Sequence, residues 1–177
     1  MEEMGKDMIH QCGGLPLALR VLGGLLAAKE TLEDWERVSE NLMAHILGRN
    51  KFKDSNKSFI HHVLCMSCLF DEDLLACLKT CFLYLAHFPE DHTIYVEKLC
   101  YFWAVEGSLR DYSGGESIRD VGDGYMEELV RRNVVISQRH VETERYETCY
   151  LHDMMREICL TKAIEESFLE ILGKRSP

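Results

Sequence analysis

One histidine in this sequence stands where chemistry with a phosphate would be easiest. His152 lies in Tyr150-Leu151-His152-Asp153-Met154-Met155-Arg156-Glu157, between a β-branched, aromatic segment and one with helical spacing. Val134 to Gln138 and Tyr146 to Leu151, separated by a polar interval, have the pattern of a short hairpin's two arms. Met154, Met155, Ile158 and Cys159 then recur at helical spacing, so a helix starts here with Asp153 as its expected N-cap. A helix N-terminus carries unpaired N–H groups and a partial positive charge, and both favour an anion. An imidazole beside such a terminus can reach a phosphate oxygen. A plainer reading is also open on spacing alone: His152 only caps or fills a strand end.

Other candidate chemistry is sparse. Cys65, Cys68, Cys77 and Cys81 have the i,i+3 and i,i+4 spacing that could gather sulfurs around zinc. They lie among Leu64, Leu69, Leu78 and Phe82, where small thiols pack as hydrophobes, so no metal is expected. His61 and His62 are adjacent, and adjacent side chains diverge on a helix. His87 and His92 flank a turn and read as solvated or capping residues. Gly5-Lys6 is followed by Asp7 and lacks the upstream glycine of a phosphate loop. No nucleophile elbow, HExxH helix or dinucleotide fingerprint occurs. Catalysis by this chain alone is not expected.

The elements that must position His152 follow from periodicity. Met4, Met8, Ile9 and Cys12 form one face of a first helix stopped by Gly13-Gly14; without a cap at its start, that helix reads as truncated. Gly14-Leu15-Pro16-Leu17-Ala18-Leu19 opens a second helix, with Pro16 in the first turn, where a missing N–H costs nothing. It is apolar almost all round through Leu26 and should be central. Thr31 caps a third helix with Asp34 three residues on, and Trp35, Val38, Leu42 and Ile46 make its stripe. Residues 48–58 read as a polar loop, whose Asn56-Lys57-Ser58 sequon carries no weight without a sign of secretion. A fourth helix over 59–69 would complete a small bundle.

From Asp71 the pattern restarts. Leu74, Leu75, Leu78, Phe82 and Leu85 mark a helix ending in the turn His87-Phe88-Pro89-Glu90-Asp91. Val96, Leu99, Cys100 and Trp103 mark the next, stopped by Gly107, and Ile118, Val121, Tyr125 and Leu129 another. Three helices, a two-stranded ribbon and a trailing helix make a winged-helix arrangement. The expected fold is mainly α: a small helical bundle over residues 1–70, then a winged-helix domain with a short β-hairpin over 71–177.

Composition bounds the partners. With 46% hydrophobic and 28% charged residues and a formal charge of −10, the chain has the makeup of a soluble globular protein. That acidity argues against a nucleic-acid surface, which should show basic clustering. The expected recognition helix sets Arg119, Arg131 and Arg132 against Asp120, Asp123, Glu127 and Glu128, whereas phosphate contact needs the opposite balance. No signal peptide is visible, and the longest apolar run, Leu15 to Ala28, is too short for a bilayer and is broken by Arg20. The eight cysteines fall mostly in helix-like segments rather than in a loop-rich scaffold, as reduced thiols of a cytoplasmic protein would.

Three blocks in order carry a family resemblance: Cys12-Gly13-Gly14-Leu15-Pro16-Leu17-Ala18-Leu19, then Leu78 to Asp91 (LKTCFLYLAHFPED), then Leu151-His152-Asp153. With Trp103-Ala104-Val105-Glu106-Gly107 between the last two, the chain resembles the C-terminal part of the NB-ARC module of plant intracellular immune receptors. It looks most like the coiled-coil class of nucleotide-binding leucine-rich-repeat resistance proteins. The resemblance implies an ADP/ATP-operated switch, with an ARC1-like helical subdomain over 1–70 and an ARC2-like winged helix over 71–177. It implies that Pro16 and Leu17 pack on the adenine and that His152 contacts the β-phosphate of ADP. Gly14 and Asp153 take structural or switching roles, Asp153 by ordering the turn that aims His152. A P-loop domain and leucine-rich repeats would be the partners, and Mg would not be bound by this chain.

The departures are specific. Leu151 replaces the family's usual Met, a volume-conserving swap, and Met66-Ser67-Cys68-Leu69-Phe70 stands where a Ser-Tyr or Ser-Phe is usual. The P-loop, the acidic Mg-binding strand, the sensor-arginine region and the repeats are not in this sequence, so hydrolysis is not assigned to it. Two other readings remain beside the switch: a nucleotide-independent interaction module or decoy derived from such a receptor, and a DNA-binding winged helix.

Overall fold

A computed structural model of the chain describes residues 2–48, 76–109 and 115–168. The chain divides into two compact units, Met1–Asp71 and Glu72–Pro177.

In the first unit lie helices α1 (Glu2–Gln11), α2 (Pro16–Ala27) and α3 (Leu32–Gly48). The turn after α1 needs left-handed backbone at Gly13 and Gly14, with φ of 59° and 75°, a region where glycine has no Cβ to clash. Leu15 is extended and Pro16 sits in the first turn of α2. Thr31 caps α3: the Asp34 N–H donates to its Oγ1 at 3.1 Å, and its hydroxyl donates to the Asp34 carboxylate at 2.5 Å. That hydroxyl bond holds the Asp34 carboxyl below its ordinary range. Met8, Cys12, Ala18, Leu22, Leu25, Leu26, Val38 and Leu42 form the core, with Met4, Leu15, Leu19 and Trp35 packed against it.

Two expectations change in this unit. Ile9 is 55% exposed, because the i,i+4 pair Met8 and Cys12 faces the core and the next residue is rotated out by about 100°. Gly48 closes α3 instead of opening the loop. The rest of that loop and the expected fourth helix over 59–69 lie outside the described residues.

The second unit runs α4 (Ala76–Tyr84), a 3-10 turn (Leu85–His87), β1 (Ile94–Tyr95), α5 (Val96–Val105), α6 (Ile118–Arg131), β2 (Ile136–Arg139), β3 (Tyr146–Tyr150) and α7 (Asp153–Glu165). The sheet is antiparallel with order β1-β3-β2, the layout of a winged helix. The fold class is therefore the expected one, mainly α with a small sheet, but the ribbon has three strands. β1 contributes only Ile94 opposite Cys149 and Tyr95 opposite Thr148. The hairpin pairs Ile136 with Tyr150 and Arg139 with Tyr146, and slips register between Gln138 and Arg139.

Phe82, Leu99, Trp103, Met126, Leu129, Met155 and Ile158 are fully buried and form the core of this unit. Trp103 Nε1 donates to the Cys81 carbonyl at 3.1 Å, and the Cys159 thiol donates to the Phe82 carbonyl at 3.1 Å. α6 is capped by Ser117, whose Oγ accepts the Asp120 N–H at 3.1 Å. Its buried stripe is Gly122, Met126 and Leu129, so Ile118, Val121 and Tyr125 are only half-buried. Gly122 lets α5 approach closely, since a Cβ there would lie 2.9 Å from Cys100 Cβ. Among the described residues no helix is long and apolar enough to cross a membrane.

Candidate functional site at the junction of β3 and α7

β3 ends at Tyr150 and α7 begins at Asp153, leaving Leu151 and His152 to turn the chain. His152 keeps an extended backbone, φ −65° and ψ 142°, while its carbonyl already accepts the Arg156 N–H at 2.9 Å. Those two properties define an N-cap. Its ring completes the cap, Nδ1 accepting the Met154 N–H at 3.4 Å. The expectation that Asp153 is the cap is thus corrected: Asp153 is the first helical residue. There its exposed carboxylate faces the positive end of the helix dipole, a favourable placement.

The cap fixes the chemistry of the imidazole. A neutral ring whose Nδ1 accepts must carry its proton on Nε2. His152 is exposed, so the Nε2–H is a donor available to an acceptor outside the unit. The geometry provides one hydrogen-bond donor beside a helix N-terminus, which suits an anionic oxygen.

The start of α7 is tied to the Leu78–Asp91 block through Arg156. Arg156, one turn into α7, donates from Nε to the Phe88 carbonyl at 2.8 Å and places Nη1 3.6 Å from Glu90 Oε1. Phe88 stacks on His92 with ring centroids 5.8 Å apart. Asp91 turns the chain with φ 55°, a conformation that Asp tolerates better than most residues. Leu151 and Arg156 meet Phe88, Pro89, Asp91 and His92 around a hollow of about 10 Å³, room for about one water. Two of the three sequence blocks are thereby joined. The sequence gives no signal for Arg156, because nothing in the chain order points its guanidinium at a carbonyl so far upstream.

Gly14, Pro16 and Leu17 belong to the first unit. Pro16 is exposed and Leu17 half-buried at the start of α2, outside the core cluster of that unit. Among the described residues no group of metal-binding side chains exists. Cys77 and Cys81 are buried free thiols, while Cys65 and Cys68 lie outside the described residues.

The charges on α6 are engaged with the hairpin. Arg139 reaches Glu127 at 2.5 Å and lies 4.3 Å above the Tyr146 ring, and the Tyr146 hydroxyl donates to the same Glu127 carboxylate. Arg145 pairs with Asp120 at 2.5 Å and with Asp123 at 3.3 Å. Arg119 lies 3.1 Å from Asp123. Hydrogen bonds from Ser117 and then Arg145 hold the Asp120 carboxyl below its ordinary range. Burial pushes Asp123 up despite the two arginines. The arginines of the wing thus fold back onto the acids of α6, where a DNA-reading wing would turn them outward.

Residues 88–159 match the disease resistance protein winged helix domain, an interval running from Phe88 through the sheet and into α7. The chain belongs to the family of plant disease resistance proteins that carry this domain. It is 62% identical over 179 residues to one Arabidopsis thaliana disease resistance protein, covering all of this chain and 19% of that protein. It is 63% identical over 178 residues to disease resistance protein RXW24L, again covering 19% of it. Disease resistance RPP8-like protein 2 is 49% identical over 171 residues, 97% of this chain and 18% of that protein; both are from Arabidopsis thaliana. The chain spans about a fifth of the length of these relatives.

Proposed function

We propose that this chain is the non-catalytic part of an ADP/ATP-dependent switch in a plant intracellular immune receptor, acting in the cytoplasm. In that reading the winged helix closes on ADP, and His152 donates from Nε2–H to an oxygen of the β-phosphate. The observation that carries it is the capped, exposed imidazole at the start of α7, with Nδ1 committed to the Met154 N–H. Pro16 and Leu17 supply the apolar contact for adenine, and Gly14 gives the turn that brings them to the head of α2. The nucleotide supplies the charge and the phosphate oxygens that distinguish the closed from the open state. A P-loop domain and leucine-rich repeats of the complete receptor are the partners. Mg is held elsewhere, and this chain catalyses nothing by itself.

A ligand shifts a two-state equilibrium only by its differential affinity for the states. The residues of this chain provide that difference by holding one donor in place: the cap orients the ring, and Arg156 ties the helix start to the Phe88 carbonyl. Asp153→Val in a complete receptor removes the acid at the positive end of α7, a contribution of about 0.3–1 kcal/mol, and replaces it with a β-branched residue. Raised signalling without a pathogen cue is the expected result. Unchanged resting signalling together with unchanged ADP retention would overturn the proposal.

A further inference from the structure

We infer that the outer face of α5 is a self-complementary surface on which a second copy of this chain docks, antiparallel and about a two-fold axis. Leu99, Cys100 and Trp103 anchor the inner face of α5 in the core. The opposite stripe, Lys98, Tyr101, Phe102, Val105 and Glu106, is exposed. Its apolar members are large: Tyr101 is 53%, Phe102 43% and Val105 85% exposed. The half-buried Tyr84 widens the patch, its ring centroid 6.1 Å from that of Phe102. Exposed apolar surface rimmed by polar residues marks an interaction site. The placement of the two charges selects a second copy as its occupant.

Lys98 lies in the first turn of α5, and Glu106 is its C-cap. The helix dipole disfavours a cation at the first place and an anion at the second. Neither residue forms an ion pair among the described residues; Lys98 Nζ has only the Tyr95 ring, 5.6 Å from its centroid. Phe102 stands midway between the two charges in the chain. An antiparallel copy centred on Phe102 therefore brings Lys98 to the partner's Glu106, and Glu106 to the partner's Lys98, which offsets both misplaced charges at once. The apolar stem of Lys98 then covers the partner's Val105, while Tyr101 and Phe102 each meet their own symmetry mates at the axis. Successive residues turn by about 100°, so Glu97 falls on the opposite edge of the stripe from Glu106 and the acids of the two copies stay apart. One ten-residue helix covers less than the roughly 1,200–2,000 Å² of a stable interface, which makes the pairing weak and reversible.

The test is sedimentation equilibrium of the full chain from about 10 µM to about 1 mM, with charge reversals on the two exposed side chains. The parent chain passes from monomer to dimer and no further, since a two-fold contact closes on itself. Lys98→Glu and Glu106→Lys each set two like-charged pairs across the axis and weaken association about tenfold. Mixing the two single variants restores both attractive pairs and with them the dimer, and the double variant associates by itself. A merely local disturbance of the fold would not be rescued by mixing. A chain that stays monomeric throughout would overturn the inference and leave the face to another domain of the receptor. Growth beyond a dimer, single variants that associate as the parent does, or a mixture no tighter than its components would overturn it equally. None of these outcomes bears on His152.

Discussion

Two glycines on α6 should respond to the same substitution with opposite signs. Gly122 and Gly124 are two residues apart on one helix, yet a Cβ at Gly124 meets nothing within 4 Å. A Cβ at Gly122 would lie 2.9 Å from Cys100 Cβ and closer still to its Sγ, and Cys100 is fully buried. Alanine in a helix interior is favoured over glycine by about 1 kcal/mol, so Gly124→Ala should stabilise the winged helix by up to about 1 kcal/mol. Gly122→Ala has the same propensity gain but forces α5 and α6 apart, and overpacking of this kind costs about 1–3 kcal/mol. The two variants should differ by about 1–3 kcal/mol, several degrees in Tm for a domain of this size. The assay is urea unfolding followed by the fluorescence of buried Trp103 in a Trp35→Phe background. Cys100→Ala should restore part of the loss in Gly122→Ala and none in Gly124→Ala. A Gly122→Ala protein as stable as Gly124→Ala would refute the close approach of α5 to α6.

Glu128 accepts from Arg131 at 2.8 and 2.9 Å and from the buried Arg132 at 2.7 Å, bonds that hold its carboxyl below the ordinary glutamate range. Its contribution is therefore present above the usual glutamate value of about 4.3 and lost as pH falls through the lower folded value. Glu128→Gln should cost about 1–2 kcal/mol at neutral pH and flatten the acid limb of the stability profile, read by denaturation at pH 7 and pH 3. Burial pushes the thiols of Cys100 and Cys149 up to about 11 and about 12. Iodoacetamide at pH 8 should therefore leave both unmodified in the native chain and label them in urea, checked by peptide mass; native labelling would show a looser core.

Long-range architecture was legible where periodicity carries it. Leu78, Phe82, Leu99 and Trp103 are buried as their spacing requires, and Thr31 with Asp34 closes the cap that their order announces. The short strand β1 was not legible: Ile94 and Tyr95 are too few for a pattern and become a strand only by pairing with Cys149 and Thr148. The cap at α7 lies one residue before the one the sequence pattern favours. Asp is the better capping type, but the choice rests on which residue keeps extended backbone, and the end of β3 imposes that on His152. The acids of α6 could be counted in the sequence, whereas their pairing with Arg139 and Arg145 required the hairpin to fold over them. Arg156 belongs to the same class, its partner being a backbone carbonyl brought near only by the tertiary fold.

The most direct test is the nucleotide content of a complete receptor carrying this chain, purified without added nucleotide, with His152 intact or replaced by Ala. A hydrogen bond to a charged phosphate oxygen is worth about 1.5–3 kcal/mol, so His152→Ala should retain ADP at least about tenfold more weakly. Equal ADP content and equal release rate in the two proteins would contradict the assignment of His152 as the phosphate contact.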